Sequence, residues 1–425
     1  GLLHGEAWRM RRGAQWLCAA ALLSVGMALR PADARWPSSL ASHVSRGVLR
    51  TVHESTREEG VRGGAIAAAR LASLIGQELV LFPLSKLGFA ARVLQYRQRY
   101  HTLVKLGEGA AVEEYTEGGD PSGPVVLFVH GGSWGQGAPW QYALLAGRLL
   151  ENGASRVGVV RYRLFPEGDV QNMVEDVGAA IKWACTSFRG AGGAEVVVAA
   201  QSAGAHLCAL HLCQTVLCDE APAYVPDRFV ALSGVFDIAP HFAHERTRLV
   251  HWLSPMWLAM MGRETREAVL GTINHLQGGE WSPTLKDLAR EAAHGSRTPA
   301  EWSAFELRAW EEASPTRLLR AVKTSVARSW PPTTILHAAN DRTVPVRSAR
   351  EFFDALLTAT GEAADTHTYV ESPHGGHGEV MVALAGHQPV DDFESHVVEL
   401  ARSFLGAIIN PSRKRSECSV AGTSK

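Results

Sequence analysis

The chain has 425 residues, of which 46% are hydrophobic and 20% are charged, and its formal net charge at pH 7 is −1. A chain of this length can bury one large core, and these proportions are those of an ordinary globular protein. A net charge this close to zero excludes any argument for nucleic-acid binding from bulk electrostatics.

Residues 1–34 are predicted to form a signal peptide or a signal anchor, which would direct the chain into the secretory pathway. The basic segment Met10-Arg11-Arg12 precedes an apolar run over 16–29, and Ala32 and Ala34 offer an A-x-A cleavage site. The apolar run is shorter than the roughly 20 residues that a spanning helix needs. The alternative interpretation is a buried N-terminal helix.

Residues 35–95 are predicted to be a helical N-terminal segment that associates with a membrane. Within this segment an Ala/Leu-rich stretch over 65–93 is interrupted by Arg70, Glu78 and Lys86. Such a stretch can lie in a membrane interface as an amphipathic helix, or it can pack on the domain that follows.

Residues 96–410 alternate short β-rich runs with longer amphipathic ones. This alternation predicts an α/β domain with a doubly wound, mostly parallel sheet that helices cover on both faces. The predicted strands are 125–129, 157–160, 196–198, 229–232, 333–336 and 366–370. The predicted helices are 170–186, 203–217, 347–358 and 391–404.

Residues 240–329 break this alternation, because they are rich in Trp, Met, Pro and charge and contain no strand-like run. About 90 residues between two strands is far longer than an ordinary connection. We therefore predict a helical cap insertion over the strand ends, which includes a mobile insertion at about 262–303. The basic tail over 411–425 is predicted to be disordered.

The strand over 196–198 leads into a serine that is framed by small residues, Ala200-Gln201-Ser202-Ala203-Gly204. A strand, such a serine and then a helix is typical of a nucleophile elbow, a tight turn that exposes a serine hydroxyl at the end of a sheet. The usual pattern is G-x-S-x-G, and Ala200 stands at the first glycine position. Ser202 is therefore the candidate nucleophile.

A second loop follows the strand over 125–129 and begins His130-Gly131-Gly132-Ser133-Trp134. Two consecutive glycines allow the backbone to turn its N–H groups towards the serine. We expect the N–H groups of Gly131, Gly132 and Ala203 to form an oxyanion hole. His130 is interpreted as a structural residue of this loop. The alternative interpretation of the loop is a simple Gly-Gly turn without a catalytic role.

A catalytic acid should follow a late strand, and Asp341 does so after the strand over 333–336. Asp237, after the strand over 229–232, is the rival acid. The base should be a histidine near the C-terminus, and we favour His377 over His374 because glycines flank His377 on both sides. The chain order of serine, acid and histidine then predicts acyl transfer through a serine nucleophile.

No metal or organic cofactor is predicted for this chemistry. Cys208, Cys213 and Cys218 lie five residues apart, a spacing that fits neither a CxxC zinc site nor one helix face. They are interpreted as small core hydrophobes.

With these residues in place, residues 96–405 resemble the isoprenylcysteine α-carbonyl methylesterase family of the hormone-sensitive-lipase-like α/β-hydrolases. The segments that carry the resemblance are Arg161-Tyr162-Arg163-Leu164-Phe165-Pro166-Glu167-Gly168, Asn172-Met173-Val174-Glu175-Asp176, Gln201-Ser202-Ala203-Gly204-Ala205-His206, Ser233-Gly234-Val235-Phe236-Asp237-Ile238, Leu253-Ser254-Pro255-Met256 and Asn340-Asp341-Arg342-Thr343-Val344-Pro345-Val346.

The resemblance implies an α/β-hydrolase fold and a serine carboxylesterase that removes the methyl ester from a prenylated C-terminal cysteine. It implies a small-molecule or prenylated-protein ester as substrate, no nucleic-acid partner, and a location at the membrane of the endoplasmic reticulum or Golgi. Four residues are candidates for the pocket of a prenyl group: Trp134, Trp252, Met256 and Trp257. The alternative for the three that belong to the cap is that they form the cap's own core.

Other functions stay open. Histidine-glycine-glycine-x-tryptophan loops also occur in kynurenine formamidases and in general carboxylesterases, so both are alternative enzymes. A non-enzymatic alternative is an inactive hydrolase fold that serves as a scaffold. Such proteins typically lose the serine or the histidine, and this chain keeps Ser202, Asp341 and His377.

Overall fold

The computed structural model describes residues 87–165, 167–189, 193–216, 224–247, 256–260, 304–322, 329–361, 366–373, 375–384 and 395–409. The chain divides into two compact units, and nearly all described residues belong to the second, which comprises Arg92–Glu245, Ser254–Ala268 and Thr298–Lys425. Several predicted segments lie outside the described residues: 1–34, most of 35–95, 262–303 and 411–425.

The described strands of the second unit form one mixed sheet. They are β1 (His101–Lys105), β2 (Ala111–Tyr115), β3 (Val125–Val129), β4 (Arg156–Arg161), β5 (Val196–Gln201), β6 (Arg228–Leu232), β7 (Thr333–Ala338) and β8 (Thr368–Ser372). Their order across the sheet is β1-β2-β4-β3-β5-β6-β7-β8. The pairs β1–β2 and β2–β4 are antiparallel, and every other pair is parallel. This is the doubly wound, mostly parallel sheet that the sequence predicts.

Helices connect these strands. They are α1 (Leu87–Tyr100), α2 (Ala143–Glu151), α3 (Val170–Ala184), α4 (Ala203–Val216), α5 (Ile238–Thr247), α6 (Met256–Ala259), α7 (Ala304–Glu312), α8 (Pro315–Ala321), α9 (Val346–Thr360), α10 (Glu379–Leu384) and α11 (Ser395–Ile409). Helices α3, α4, α8 and α9 pack in succession, and α2, α10 and α11 form a second group. None of the helices in the described part of the chain has both the length and the apolar character that crossing a bilayer requires.

The central strands form where the sequence is continuously apolar. All residues of β3, β5 and β6 are buried, as expected for parallel strands that are covered on both faces. Helix α3 begins at Val170 because Asp169 caps it and accepts a hydrogen bond of 3.0 Å from the Asn172 N–H. Helix α9 ends at Thr360 because Gly361 caps it with a φ of 62°, in the left-handed region that favours glycine.

Two strands at the edge of the sheet, β1 and β2, are absent from the sequence prediction. Their residues mix charge with apolar side chains, so neither shows a clean strand pattern. The buried Glu113 of β2 is tolerated because Arg97 of α1 donates two hydrogen bonds to its carboxylate, at 2.8 and 2.6 Å. An apolar pattern alone cannot reveal a strand that buries an ion pair.

The parallel strands bring several loops to one edge of the sheet, because the carboxyl ends of parallel strands point the same way. The loops that follow β3, β5, β7 and β8 all leave from this edge. Between β6 and β7, where a cap is predicted, the described residues form the helices α5 to α8.

Candidate active site

Ser202 lies at the tight turn between β5 and α4. Its φ is 54°, a left-handed conformation that non-glycine residues rarely adopt. The Ser202 N–H donates a hydrogen bond of 2.9 Å to the carbonyl of Leu232 on the neighbouring strand. A Cβ atom on Gly204 would lie 2.3 Å from the Val129 carbonyl oxygen, so only glycine fits there. The strained serine backbone is thus supported on both sides.

Three side chains from different loops form one hydrogen-bonded series. The Ser202 Oγ lies 2.9 Å from His377 Nε2, and His377 Nδ1 lies 2.7 Å from Asp341 Oδ2. Since a carboxylate only accepts hydrogen bonds, Nδ1 carries the proton and Nε2 is free to accept the serine proton. The loops after β5, β7 and β8 therefore bring together a nucleophile, an acid and a base in the arrangement of a catalytic triad.

Backbone groups hold the Asp341 carboxylate in its position. Its Oδ1 accepts hydrogen bonds from the N–H groups of Thr343 and Val344, at 2.8 and 2.9 Å. Burial raises the pKa of Asp341, but the hydrogen bond and charge of His377, together with the contacts of His337 and Val344, outweigh it. The pKa therefore lies below its ordinary value, and the carboxylate is ionised at neutral pH.

A second histidine, His337, lies beside the same carboxylate. It is fully buried, and its Nε2 lies 2.9 Å from the Val344 carbonyl oxygen and 3.5 Å from Asp341 Oδ2. Burial lowers the pKa of His337, so the ring is neutral and its Nε2–H donates to the Val344 carbonyl. The residue reinforces the loop that carries the acid.

The rival acid, Asp237, is engaged elsewhere. Its carboxylate accepts hydrogen bonds from Arg317 Nε at 3.1 Å and from Ser314 Oγ at 3.3 Å. Asp237 therefore joins β6 to the helices α7 and α8, and Asp341 is the residue that contacts His377. The rival base, His374, lies outside the described residues.

Gly131 of the loop after β3 lies directly against the nucleophile. A Cβ atom on Gly131 would lie 2.9 Å from Ser202 Cβ and 2.6 Å from Gln201 Oε1. In the described part of the chain, the loop and turn hydrogen bonds include none from the N–H groups of Gly131, Gly132 or Ala203. Unused N–H groups beside a nucleophile are the donors that an oxyanion hole requires.

The same loop continues through three consecutive residues with positive φ. These values are 128° at Gly132, 49° at Ser133 and 60° at Trp134. Such strain persists only where contacts with the surrounding structure hold the backbone in place. Here the Trp134 Nε1–H donates a 3.1 Å hydrogen bond to His206 Nδ1, and His206 Nε2–H donates to the Ala313 carbonyl at 2.7 Å.

His130, at the start of this loop, has a structural environment. Its Nδ1 lies 2.8 Å from the Gly131 carbonyl oxygen, and its own carbonyl accepts a 2.9 Å hydrogen bond from the Tyr162 hydroxyl. Burial lowers the pKa of His130 to about 4, so the ring is neutral at pH 7. His130 therefore shapes the loop as a neutral side chain.

Two of the four residues predicted to line a pocket have described side chains. Met256 and Trp134 are 0% and 1% exposed, and both pack within the main hydrophobic core. For Met256 this agrees with the alternative interpretation, a core residue of the cap. The side chain of Trp257 and the whole of Trp252 lie outside what the structure describes.

The supporting roles of His206 and His337 are not predicted from the sequence, although their positions relative to Ser202 and Asp341 are visible in it. His206 lies four residues after Ser202, which is one helical turn, and His337 lies four residues before Asp341 on a buried strand. A histidine four residues from a candidate catalytic residue is the sequence signal that could have indicated a supporting role.

Comparison with known proteins gives an independent view of the chain. A family model described as the alpha/beta hydrolase fold matches residues 126–378. The isoprenylcysteine alpha-carbonyl methylesterase of Arabidopsis thaliana is 26% identical over 260 residues, which cover 59% of this chain and 50% of that protein. A probable isoprenylcysteine alpha-carbonyl methylesterase of Oryza sativa is 42% identical over 91 residues, 21% of each chain. The resemblance to that family is thereby confirmed, at modest identity.

A bacterial esterase is also similar to this chain. Esterase LipC of Mycobacterium tuberculosis is 28% identical over 269 residues, which cover 60% of this chain and 53% of that protein. The chain therefore spans about half the length, or less, of the curated relatives it matches.

Proposed function

The chain belongs to the alpha/beta hydrolase fold family, and from that premise we propose that it is a serine carboxylesterase whose substrate is the methyl ester of a prenylated C-terminal cysteine. The observation that carries the proposal is the series from Ser202 through His377 to Asp341, with donor–acceptor distances of 2.9 and 2.7 Å. This arrangement supports nucleophilic attack on a carbonyl carbon.

Acylation begins when His377 Nε2 accepts the Ser202 proton and Oγ attacks the ester carbonyl. Asp341 holds the ring in the required tautomer and offsets the positive charge that forms on it. The C–O bond to the alcohol then breaks, and the leaving oxygen takes the proton from His377. The product alcohol is methanol, and the acid part stays bound to Ser202 as an ester.

Deacylation repeats these steps with water. His377 removes a proton from the water as it attacks the acyl carbon, and Ser202 Oγ leaves with that proton. In both steps the carbonyl oxygen becomes negative, and the N–H groups of Gly131, Gly132 and Ala203 are its proposed donors. Releasing the free acid restores the resting enzyme.

Two findings support the ester of a prenylated cysteine as substrate. The methylesterases from Arabidopsis and Oryza are similar to this chain, and the sequence segments that carry the family resemblance surround Ser202 and Asp341. A general carboxylesterase is the second candidate, because esterase LipC matches 60% of the chain. The two candidates share the chemistry and differ in the acid part of the ester.

A comparison of two esters tests this proposal. Purified protein is expected to hydrolyse a short p-nitrophenyl ester and S-farnesylcysteine methyl ester, and Ser202→Ala abolishes both activities. Activity that persists in Ser202→Ala would reject the serine mechanism. If the wild-type protein cleaves p-nitrophenyl esters but not the farnesyl ester, it is a general carboxylesterase. Faster turnover of N-formylkynurenine would make it a formamidase.

The proposed substrate also implies a location at the membrane of the endoplasmic reticulum or Golgi. The apolar run over 16–29 and the amphipathic stretch over 65–93 support this. Fractionation of cells that express the full chain, and the same chain lacking residues 1–34, tests it. We expect the full chain to sediment with membranes, and equal recovery of both chains in the soluble fraction would reject the location.

A further inference from the structure

Gln201 is the last residue of β5 and directly precedes the nucleophile. Its side chain is polar although the residue is only 7% exposed, whereas the rest of the strand is apolar. Native proteins keep a buried carboxamide where its N–H and carbonyl groups have partners. The contacts of Gln201 therefore indicate what it does at this position.

One end of the carboxamide holds the loop of the base. Gln201 Nε2–H donates a hydrogen bond to the backbone carbonyl of His377, with a long donor–acceptor distance of 3.5 Å. Within the part of the chain that the structure describes, no other hydrogen bond to this carbonyl is found. The contact joins residues 176 positions apart, so it ties the loop after β8 directly to β5.

The other end of the carboxamide lies against the proposed oxyanion loop. A Cβ atom on Gly131 would lie 2.6 Å from Gln201 Oε1 and 3.1 Å from the Gln201 carbonyl oxygen. Gln201 therefore occupies the space that a side chain at position 131 would need, and glycine allows the loop to approach this closely. One side chain thus contacts the base loop and the oxyanion loop, and it belongs to the strand that carries the nucleophile.

The contact with His377 bears on the distance between the base and the nucleophile. Asp341 orients the His377 ring through Nδ1, but it does not hold the backbone from which the ring projects. Gln201 holds that backbone from the residue next to Ser202, and His377 Nε2 then lies 2.9 Å from Ser202 Oγ. Proton transfer requires this separation to stay within hydrogen-bond reach, and a small misplacement of a catalytic group lowers the rate by a large factor.

We propose that Gln201 is a positioning residue, which sets the separation of Ser202 and His377 by holding the carbonyl of His377. It acts through the backbone of His377 and not on the reacting atoms. Because it donates through an N–H group, neither a carboxylate nor an alkyl side chain can replace it. The inference rests on the serine mechanism of the proposed function and does not depend on the identity of the ester.

Two variants at this position separate the hydrogen bond from the packing. Gln201→Glu keeps the shape of the side chain but cannot donate when ionised, and Gln201→Leu puts an apolar group of similar size there. We expect kcat on p-nitrophenyl butyrate to fall about tenfold or more in both variants, with KM within about twofold of the wild type. Acylation and deacylation use the same base, so both steps slow together, and KM, which depends on their ratio, stays nearly constant.

The control variant is Gln214→Leu, because the Gln214 carboxamide also donates, to Gln171 Oε1, but in an exposed hydrogen bond between α4 and α3. It should leave kcat and KM unchanged. In every variant kcat is counted per reactive serine, by titration with a fluorophosphonate, so that unfolded molecules do not contribute.

Three results would overturn the proposal. The first is a kcat within about twofold of the wild type in either Gln201 variant. The second is a loss that disappears when activity is counted per reactive serine, which would mean that Gln201 only stabilises the fold. The third is a rise in KM that accounts for the loss, which would place Gln201 in substrate binding.

The inference can fail separately from the proposed function. The wild-type protein and Ser202→Ala, assayed first, decide whether Ser202 is the nucleophile, and activity that persists in Ser202→Ala rejects both. If Ser202 is the nucleophile, the Gln201 variants are informative on any ester, including one without a prenylated cysteine. An unchanged kcat in them then rejects the positioning role and leaves the serine mechanism in place.

Discussion

The carboxylate of Asp341 divides its contacts between its two oxygen atoms. Oδ1 accepts from two backbone N–H groups of its own loop, and Oδ2 accepts from His377. The first set of contacts fixes the carboxylate, and the second fixes the ring. His337 lies 3.5 Å from Oδ2 and adds a further contact within the buried part of the loop. The orientation of His377 therefore depends on Asp341, whose side chain cannot rotate freely.

Replacing this acid should remove most of the activity without unfolding the protein. In Asp341→Asn, the amide can donate to His377 Nδ1 and so favours the tautomer whose Nε2 cannot accept the serine proton. We expect kcat to fall by roughly 10³- to 10⁴-fold. Steady-state kinetics on a p-nitrophenyl ester measures this loss.

Asp237→Asn is the matched comparison, because Asp237 is the rival acid, buried in the loop after β6, and it contacts Arg317 and Ser314. It should lower the melting temperature and leave kcat within a few-fold. A greater loss of kcat in Asp237→Asn than in Asp341→Asn would reverse the assignment of the acid.

A methyl group on Gly131 should disturb the nucleophile directly. Its Cβ would lie 2.9 Å from Ser202 Cβ, which is closer than such atoms approach, so the loop must shift. Because the proposed oxyanion donors belong to this loop, Gly131→Ala is expected to lower kcat by roughly 10²- to 10³-fold. Gly107→Ala serves as the control, since nothing lies within 4 Å of a Cβ there. Equal kinetics for the two variants would argue against the oxyanion assignment.

Among the elements, the sequence predicts the centre of the sheet best. Strand β3 was predicted with its observed bounds, because a fully buried strand is apolar at every position. Strands β1 and β2 were missed, because their stabilisation comes from partners elsewhere in the chain, such as Arg97 for Glu113. Asp341 was chosen over Asp237 from its place in the chain, and the contact with His377 agrees.

Contacts between elements that are distant in the chain could not be predicted from the sequence. The hydrogen bond from Trp134 to His206 joins residues 72 positions apart, and no local pattern announces it. His241 and Glu245 of α5 have the spacing of an ordinary surface ion pair on a helix. Only the fold shows that they are buried and that His241 lies beside Trp134.

The elbow accommodates Ala200 at the first glycine position of the G-x-S-x-G pattern because the strained backbone lies two residues later, at Ser202. The positive φ occurs at Ser202, whereas Ala200 belongs to β5, pairs with Val129 and Ala231, and is fully buried. Ala200→Gly should therefore keep kcat/KM within about twofold. It should also destabilise the fold by about 1–2 kcal/mol, through the lost methyl contacts and the added freedom of the unfolded chain.

Urea unfolding and ester kinetics on the same preparation of Ala200→Gly measure these two effects. Wild-type stability in the variant would mean that the alanine methyl group adds nothing to the core. A loss of activity would mean that the first small position shapes the elbow itself.

At the scale of the whole molecule, the candidate active site is held by buried histidines outside the proposed triad. His130 supports the oxyanion loop, and His206 joins that loop to the carbonyl of Ala313 between α7 and α8. Burial lowers the pKa of each to about 4, against an ordinary value of 6.5. Both rings are neutral in the folded protein and become protonated in the unfolded chain once the pH falls below about 6.5.

This difference makes the stability depend on pH. Their contribution is fully present above about pH 6.5, and it is lost progressively as the pH falls towards 4, because there the unfolded chain binds more protons than the folded protein. If each ring accounts for one proton, the free energy of unfolding falls by up to about 2.7 kcal/mol per pH unit in this range. Urea unfolding between pH 7.5 and 4.5 measures the slope. In His206→Gln this position no longer titrates, so the slope should be smaller by up to about 1.4 kcal/mol per pH unit. The remaining slope comes from His130 and from two other rings whose pKa burial lowers, His211 and His337. An equal slope in the variant would place the acid sensitivity entirely on other groups.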